Sequence, residues 1–410
     1  MIDDTEESKI KKQLQNKSDT PIKKHLKATE INYRRNKESN YTEKITELDK
    51  NFDYSNHKNH YWSDPEFSIL YGTPLYDAAS PSQKIALNHL FWVGGYNLTA
   101  ASEVNTALYN QVTGSVFYNI GGYETLCHEL DVETSQERHH IHAFRTIGNM
   151  TEMAILGKVI VGDPLTGNES KVIQKGLVGR LSPGPIRQLF GFNWGSTPFL
   201  ASQYYALRFI ANMLLKLTEY SRSQYFRKLE KKREFIPSPT AVSHYHFLDE
   251  SFHTTTSLLI AQELYKDFPK PTAYEKFMAN FSIYMMQLTI LNGLSAGAVA
   301  SFSPDQLFVI PLVYKILRSP LFDMSTQEAL SWIERCFCHE HEGLHLNLKY
   351  HQRLISELCK FFDKLDYTWP INREMRVMAT GGSISKAIQN NTKFFHKFSK
   401  SVACKNGNPI

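Results

Sequence analysis

His246-Phe247-Leu248-Asp249-Glu250-Ser251-Phe252-His253 is the stretch on which the reading of this 410-residue chain turns. At about 100° per residue, positions three and four apart share one face of a helix. His246, Glu250 and His253 therefore fall on a single stripe. A second copy of the Glu-x-x-His spacing stands upstream, at Glu137-Arg138-His139-His140. Two further carboxylates complete a repeating order along the chain, Glu103 before the first pair and Glu219 before the second.

Each of these residues falls within a segment of helical pattern. Ile85, Leu87, Leu90, Trp92 and Val93 begin a helix that can run past Glu103 to Val112 through Gly94-Gly95, with small residues (Ala100, Ala101, Ser102) leaving space beside Glu103. A second helix is expected from Tyr123 to Leu156, a third from Pro198 to Glu234 with Leu215, Glu219 and Ser223 on one stripe, and a fourth from Thr240 to Tyr265. A Gly- and Pro-rich loop separates the second from the third, over about Gly162 to Thr197. Further helices are expected at 272–293, 304–318 and 326–362. Strand-like alternation is scarce, and no fixed-period repeat stands out. The fold class expected is all-α, a ferritin-like helical bundle with additional flanking helices.

A carboxylate from each of two helices and a Glu-x-x-His from each of two others is the donor set of ferritin-like di-iron bundles. Carboxylates bridge metals and imidazoles cap them, a mixture that suits Fe(II) or Mn(II). Inward carboxylates on four helices are costly unless they are paired or coordinate metal. On the second helix Glu129 and Glu133 continue the stripe toward Glu137, so a slip of one ligand to Glu133 is open. His139 and His142 flank His140 there.

The order Glu103, Glu137-x-x-His140, Glu219, His246-x-x-x-Glu250-x-x-His253 resembles the p-aminobenzoate N-oxygenase (AurF-like) family over about residues 85–260. The resemblance implies Glu103, Glu137, Glu219 and Glu250 as carboxylate ligands, with His140, His246 and His253 as imidazole ligands and His246 as the histidine beyond the usual two. It also implies Asp249 as an acceptor orienting a histidine of the opposite helix. Gln136, beside Glu137, departs from an acidic partner at that place. The activity implied is oxygenation of an aromatic amine to a hydroxylamine and then a nitro product, with two Fe ions (or Mn) and O2. Electrons come from outside, from a reductase, a ferredoxin or a small reductant, since no flavin or nicotinamide fingerprint is present. Another di-iron oxidation (hydroxylation, desaturation or C–C cleavage) and a non-enzymatic iron-binding bundle keep the same ligands.

One motif points elsewhere. His341-Glu342-Gly343-Leu344-His345 spells the zinc-peptidase signature, and His351 follows six residues after His345. The stripe Leu344, Leu348, Ile355, Leu358, Phe362 continues through the segment, so a continuous helix would carry His351 about 9 Å beyond His345 and roughly 240° around from it. His351 is therefore not placed to join a metal held by His341 and His345, and a zinc peptidase, which stays open as an alternative, would take its third ligand from elsewhere in the chain. In Cys336-Phe337-Cys338-His339-Glu340-His341, the cysteines lack the two-residue gap of a zinc finger and read as small buried side chains.

Composition bounds the rest. Apolar residues make up 42% and aromatics 12%, which is a globular composition. Formal net charge is +5, but basic residues crowd the first 50 positions and no basic–aromatic stripe stands outside them, which argues against nucleic acid as a partner. Residues 1–55 read as a polar, mobile tail, and 56–400 as a single ferritin-like di-iron domain. Five cysteines, few and odd in number, argue against a disulfide framework. No apolar run reaches the length of a membrane span, and no signal peptide opens the chain. The expected setting is cytoplasmic, with a small-molecule amine substrate and an electron donor as partners, and with room for a homodimer.

Overall fold

The computed structural model describes residues 23–161, 193–294 and 309–405. Among these residues the chain is all-α, with no strand. Two helices, α1 (Lys24–Lys37) and α2 (Tyr41–Lys50), precede a 3-10 turn at Tyr54–Asn56 and the short α3 (Pro74–Ala78). The long helices α4 (Pro81–Ile120), α5 (Glu124–Leu156), α6 (Pro198–Lys232) and α7 (Ser238–Gln262) form the bundle. Around it lie α8 (Ala273–Thr289), α9 (Val309–Leu317), α10 (Thr326–Phe337), α11 (Glu342–Phe362), α12 (Pro370–Arg373), α13 (Arg376–Gly381) and α14 (Ile384–Lys405).

Local chemistry sets the bundle helices' ends. Ser80 and Gln83 close a capping box ahead of Pro81, which sits where its missing N–H costs nothing. Thr197 accepts from the Leu200 N–H at 3.2 Å to start α6. Gly157 ends α5 in the left-handed conformation (φ +71°) that glycine adopts without strain. Short connections join α4 to α5 and α6 to α7, so each pair packs as an antiparallel hairpin, and α4 also lies against α6.

Apolar burial is concentrated in two clusters. One contains Trp62, Trp92, Tyr96, Phe144 and Val242; the other contains Phe117, Leu130, Tyr205, Leu217 and Ile260. Each of α4, α5 and α7 contributes to both. The polar residues Glu103, His140 and Glu250 lie between those contributions along the chain, so the charged centre is held between two dry layers.

The structure corrects three expectations. Residues 24–50, expected as part of a mobile tail over 1–55, are helices packed against α5 and α7. Their buried side chains are mostly polar (Thr29, Asn32, Asn36, Asp49, with Ile45), so hydropathy gives no sign of the docking. Residues 1–22 and most of the Gly- and Pro-rich loop, 162–192, lie outside the described residues, as do 295–308 at the expected start of the helix at 304–318. The helix expected over 326–362 is two helices, because His341 is extended (φ −157°, ψ 167°). There Gly343 crosses Gly72: a Cβ on Gly343 would stand 2.5 Å from the Tyr71 carbonyl oxygen, and one on Gly72 2.6 Å from the Gly343 nitrogen. The third correction is α14, which lies beyond the helices expected from the sequence.

Candidate metal centre

Four helices bring the acidic and imidazole side chains together. Glu103 comes from α4, Glu137 and His140 from α5, Glu219 from α6, and His246, Glu250 and His253 from α7, and all are buried. Their donor atoms form two overlapping groups. Glu103, His140, His246 and Glu250 offer atoms within 4.8 Å of one another, and so do Glu137, Glu250 and His253. Glu250 belongs to both. Glu219 stands at the edge, its Oε1 2.5 Å from His246 Nδ1.

The contacts between them are close. Glu103 Oε1 lies 3.0 Å from His246 Nε2, and Glu250 Oε1 lies 2.8 Å from His253 Nδ1. Glu137 reaches both histidine systems, 3.3 Å from His253 Nδ1 and 3.6 Å from His140 Nδ1.

A second ring of side chains fixes these residues. Asp249 Oδ2 accepts from His140 Nε2 at 3.0 Å and from the Thr42 hydroxyl at 2.7 Å, which turns His140 Nδ1 toward the centre. Gln136 accepts from His253 Nε2 at 2.9 Å and donates to Asp249 and to Asn36. Tyr96 donates to Glu219 at 2.8 Å. Arg208 donates to Glu133 at 2.6 Å and to Glu137 at 3.3 Å. Arg208 and Asn110 both meet Glu133 Oε2, while its Oε1 is buried without a partner; of the two carboxylates it is Glu137 that stands within the donor groups. Glu129, one turn further back, is met by Asn32, Asn36 and Thr256.

Electrostatics follows from crowding charge in a dry place. Burial, then the neighbouring Glu137 charge, pushes Glu103 up to about 7. Burial would raise Glu137 too, but His253, His140 and Arg208 together hold it below the ordinary carboxylate range. Burial works against a charged His140, yet Asp249 and Glu137 carry it up to about 9. His246 is held well above the ordinary value by Glu219 and Glu103 against the effect of burial, and His253 likewise by Glu250, Glu133 and Glu137.

The donor set fits a pair of divalent ions. Glu103 Oε2, Glu137 Oε2 and His140 Nδ1 are buried polar atoms with no hydrogen-bond partner. Buried polar atoms are rarely left so. Four carboxylates match the charge of two divalent cations, and carboxylate with imidazole is the chemistry that iron and manganese take.

The Cys/His/Glu cluster at 336–345 gives a different picture. His341 lies outside α11, so it does not share a helical face with His345. His345 is exposed and bonds Glu340 at 2.8 Å. His351 faces the Met378 carbonyl at 3.2 Å. Neither group of donors found among the described residues includes any of the three. His139 and His142 sit at the surface, near Thr46 and Asp49.

Several of these supports lay beyond the sequence reading. Arg208 and Tyr96 carry no motif, although an arginine set among Tyr204, Tyr205 and Phe209 was a visible signal. Thr42, Asn32 and Asn36 lie in the segment read as a tail.

Fold and centre together define an all-helical protein with a buried carboxylate–histidine cluster able to hold two metal ions. The chain belongs to the acyl halogenase CylC-like family, which it matches over residues 24–176 and 167–399. That is not the N-oxygenase family which the ligand order resembles; the match supports a helical, oxygenase-like enzyme class, not amine oxidation in particular. No curated protein and no solved structure matches the chain. No helix among the described residues is long and apolar enough to cross a membrane.

Proposed function

We propose that this chain is a di-iron oxidase that transfers a halogen to an acyl chain. The observation that carries the reading is the pair of overlapping donor groups sharing Glu250. The family's description, acyl halogenase, supplies the substrate class. Glu103, Glu137, His140, Glu219, His246, Glu250 and His253 would hold the two metals, iron by preference and manganese as the alternative. Bound there, iron supplies activation of dioxygen with electrons from an external donor.

The chain's own residues position and seclude. Asp249 holds His140 with Nδ1 inward, and Gln136 does the same for His253 Nδ1. Tyr96, whose phenol burial and Glu219 keep well above its ordinary pKa, stays protonated and anchors Glu219. Arg208 balances the charges of Glu133 and Glu137. A narrow cleft between α6 and α7, lined by Asn212, Leu215, Lys216, Phe247, Ser251 and Thr254, reaches Glu219 and Glu250, with space for about one water molecule.

A second reading is N-oxygenation of an arylamine. His246, the third imidazole, favours it, since that histidine carries the resemblance of the ligand order. One experiment separates the two. The iron-loaded, reduced chain is given oxygen with medium- and long-chain acyl thioesters plus bromide, or with p-aminobenzoate, and products are read by mass spectrometry. A brominated acyl product supports halogenation, and a hydroxylamine or nitro product supports the second reading. Hydroxylated or desaturated acyl chains without bromine would retain the oxidase and reject halogen transfer.

A further inference from the structure

Arg222 lies on α6 one turn beyond Glu219 and is 2% exposed. Its guanidinium carbon sits 4.9 Å from the centre of the Tyr96 ring and 5.7 Å from that of Phe91. Among the described residues no carboxylate, carbonyl or hydroxyl accepts from it, and its Nε is a buried atom without a partner. The bundle's other buried arginine in this region behaves differently: Arg208 donates to Glu133, Glu137 and Asn110. The nearest carboxylate along the helix, Glu219, is engaged by Tyr96 and His246 instead.

An arginine keeps its charge in proteins and presents a fork of donors. A buried charge persists only where something of opposite sign meets it. We infer that Arg222 is the cationic floor of an anion site beside the metal centre, and that its anion is a halide. The surroundings select the class. Phe91 and Tyr96 present rings, and the edge of the guanidinium faces Gly95, whose missing side chain would otherwise stand 3.4 Å from Nη2. That glycine interrupts a 40-residue helix, where glycine is unfavourable. The contacts seen for the guanidinium among the described residues are these two rings and Gly95, and they bring none of the N–H or O–H donors that the several oxygens of a phosphate or carboxylate take. A monoatomic, weakly hydrated anion needs none.

The site places the anion one side chain away from the proposed ligands, since Tyr96 touches Arg222 with its ring and Glu219 with its hydroxyl. The role of the halide as a substrate rests on the proposed halogen transfer; its binding does not.

The test uses the full chain, iron-loaded and after chelation, titrated with bromide or iodide against methanesulfonate at constant ionic strength. Two signals are read: the thermal midpoint and the tryptophan fluorescence, Trp92 lying 4.5 Å from Tyr96 between ring centres. Saturable quenching by iodide is expected, with a midpoint raised by roughly 3 °C when bromide stands at a hundredfold excess over its dissociation constant. Arg222→Gln should abolish both responses. Arg222→Lys, which keeps the charge, should retain them at weaker affinity and covers the case in which the glutamine variant does not fold. Linear, unsaturated quenching in the native chain with no midpoint shift would overturn the site, as would responses that survive in Arg222→Gln. A brominated product whose bromide KM is unchanged in both variants rejects the site and leaves halogen transfer standing. Saturable binding at Arg222 without any halogenated product keeps the site and rejects the transfer.

Discussion

Thr42, in a helix near the start of the chain, donates a 2.7 Å hydrogen bond to Asp249, more than 200 residues later. Asp249 in turn accepts from His140, so a residue outside the four-helix bundle sets the orientation of an imidazole inside the centre. Groups that orient metal-binding histidines commonly matter to affinity by about 10- to 100-fold. Thr42→Val keeps the shape and removes the donor. Iron affinity, measured by competition with a chelator, should fall by about tenfold. An affinity unchanged in Thr42→Val would show that His140 is oriented without the N-terminal helices.

Arg208 is the only arginine or lysine paired with Glu133 and Glu137 among the described residues. Replacing it with Met leaves two buried carboxylates without that partner. Removing one side of a buried pair costs about 3–5 kcal/mol. Urea unfolding of Arg208→Met should show a loss of that order, and adding Glu133→Gln should restore part of it. Equal stability of the single variant and the native chain would rule out the pairing as a support.

Gly343 and His345 belong to the same five-residue signature but should behave oppositely. Adding one methyl group at Gly343 drives it into the Tyr71 carbonyl, and such overpacking costs about 1–3 kcal/mol or more. His345 is exposed, and exposed positions change stability within about 0.5 kcal/mol. Gly343→Ala should therefore destabilise the chain in thermal melts, while His345→Ala leaves both the melt and the bound iron unchanged. Loss of bound metal in His345→Ala would revive a metal site at the signature.

His89 provides a pH response away from the metal centre. Its ring is buried against Trp62, lies 3.1 Å from the Tyr54 hydroxyl and 2.7 Å from the His60 carbonyl, and burial depresses its pKa to about 3. The folded form therefore binds fewer protons than the unfolded chain between the ordinary value near 6.5 and about 3. Stability must fall as pH drops through that window, by on the order of 5 kcal/mol from this group. Comparing urea midpoints at pH 7 and pH 4, His89→Gln should lose less stability than the native chain. An identical loss in both would place the acid sensitivity elsewhere.

The parts of this protein that could be read from its sequence are those where helical spacing itself carries the chemistry. Glu250 and His253 share a face because they are three apart, and the same holds for Glu137 and His140, so both the all-helical class and the gathering of these residues were legible. The rest depends on tertiary contact. Asn32, Asn36 and Thr42 dock through polar groups onto Glu129 and Asp249, and polar burial leaves no periodic apolar trace. The break before Glu342 arises from the crossing of Gly72 and Gly343, 271 positions apart in the numbering, which no local pattern records. Arg222 is visible in the sequence as one more arginine; only its surroundings show that it lacks a partner.

Glu250 is the residue common to both donor groups, so iron binding in a Glu250→Ala variant tests the central claim most directly. Anaerobic loading with ferrous iron, removal of excess metal and quantitation should give about two Fe per native chain. The variant should lose both ions together while keeping its helical circular dichroism. Fewer than one iron in the folded native chain, or a variant that still holds the native amount, would contradict a dinuclear centre built on this cluster.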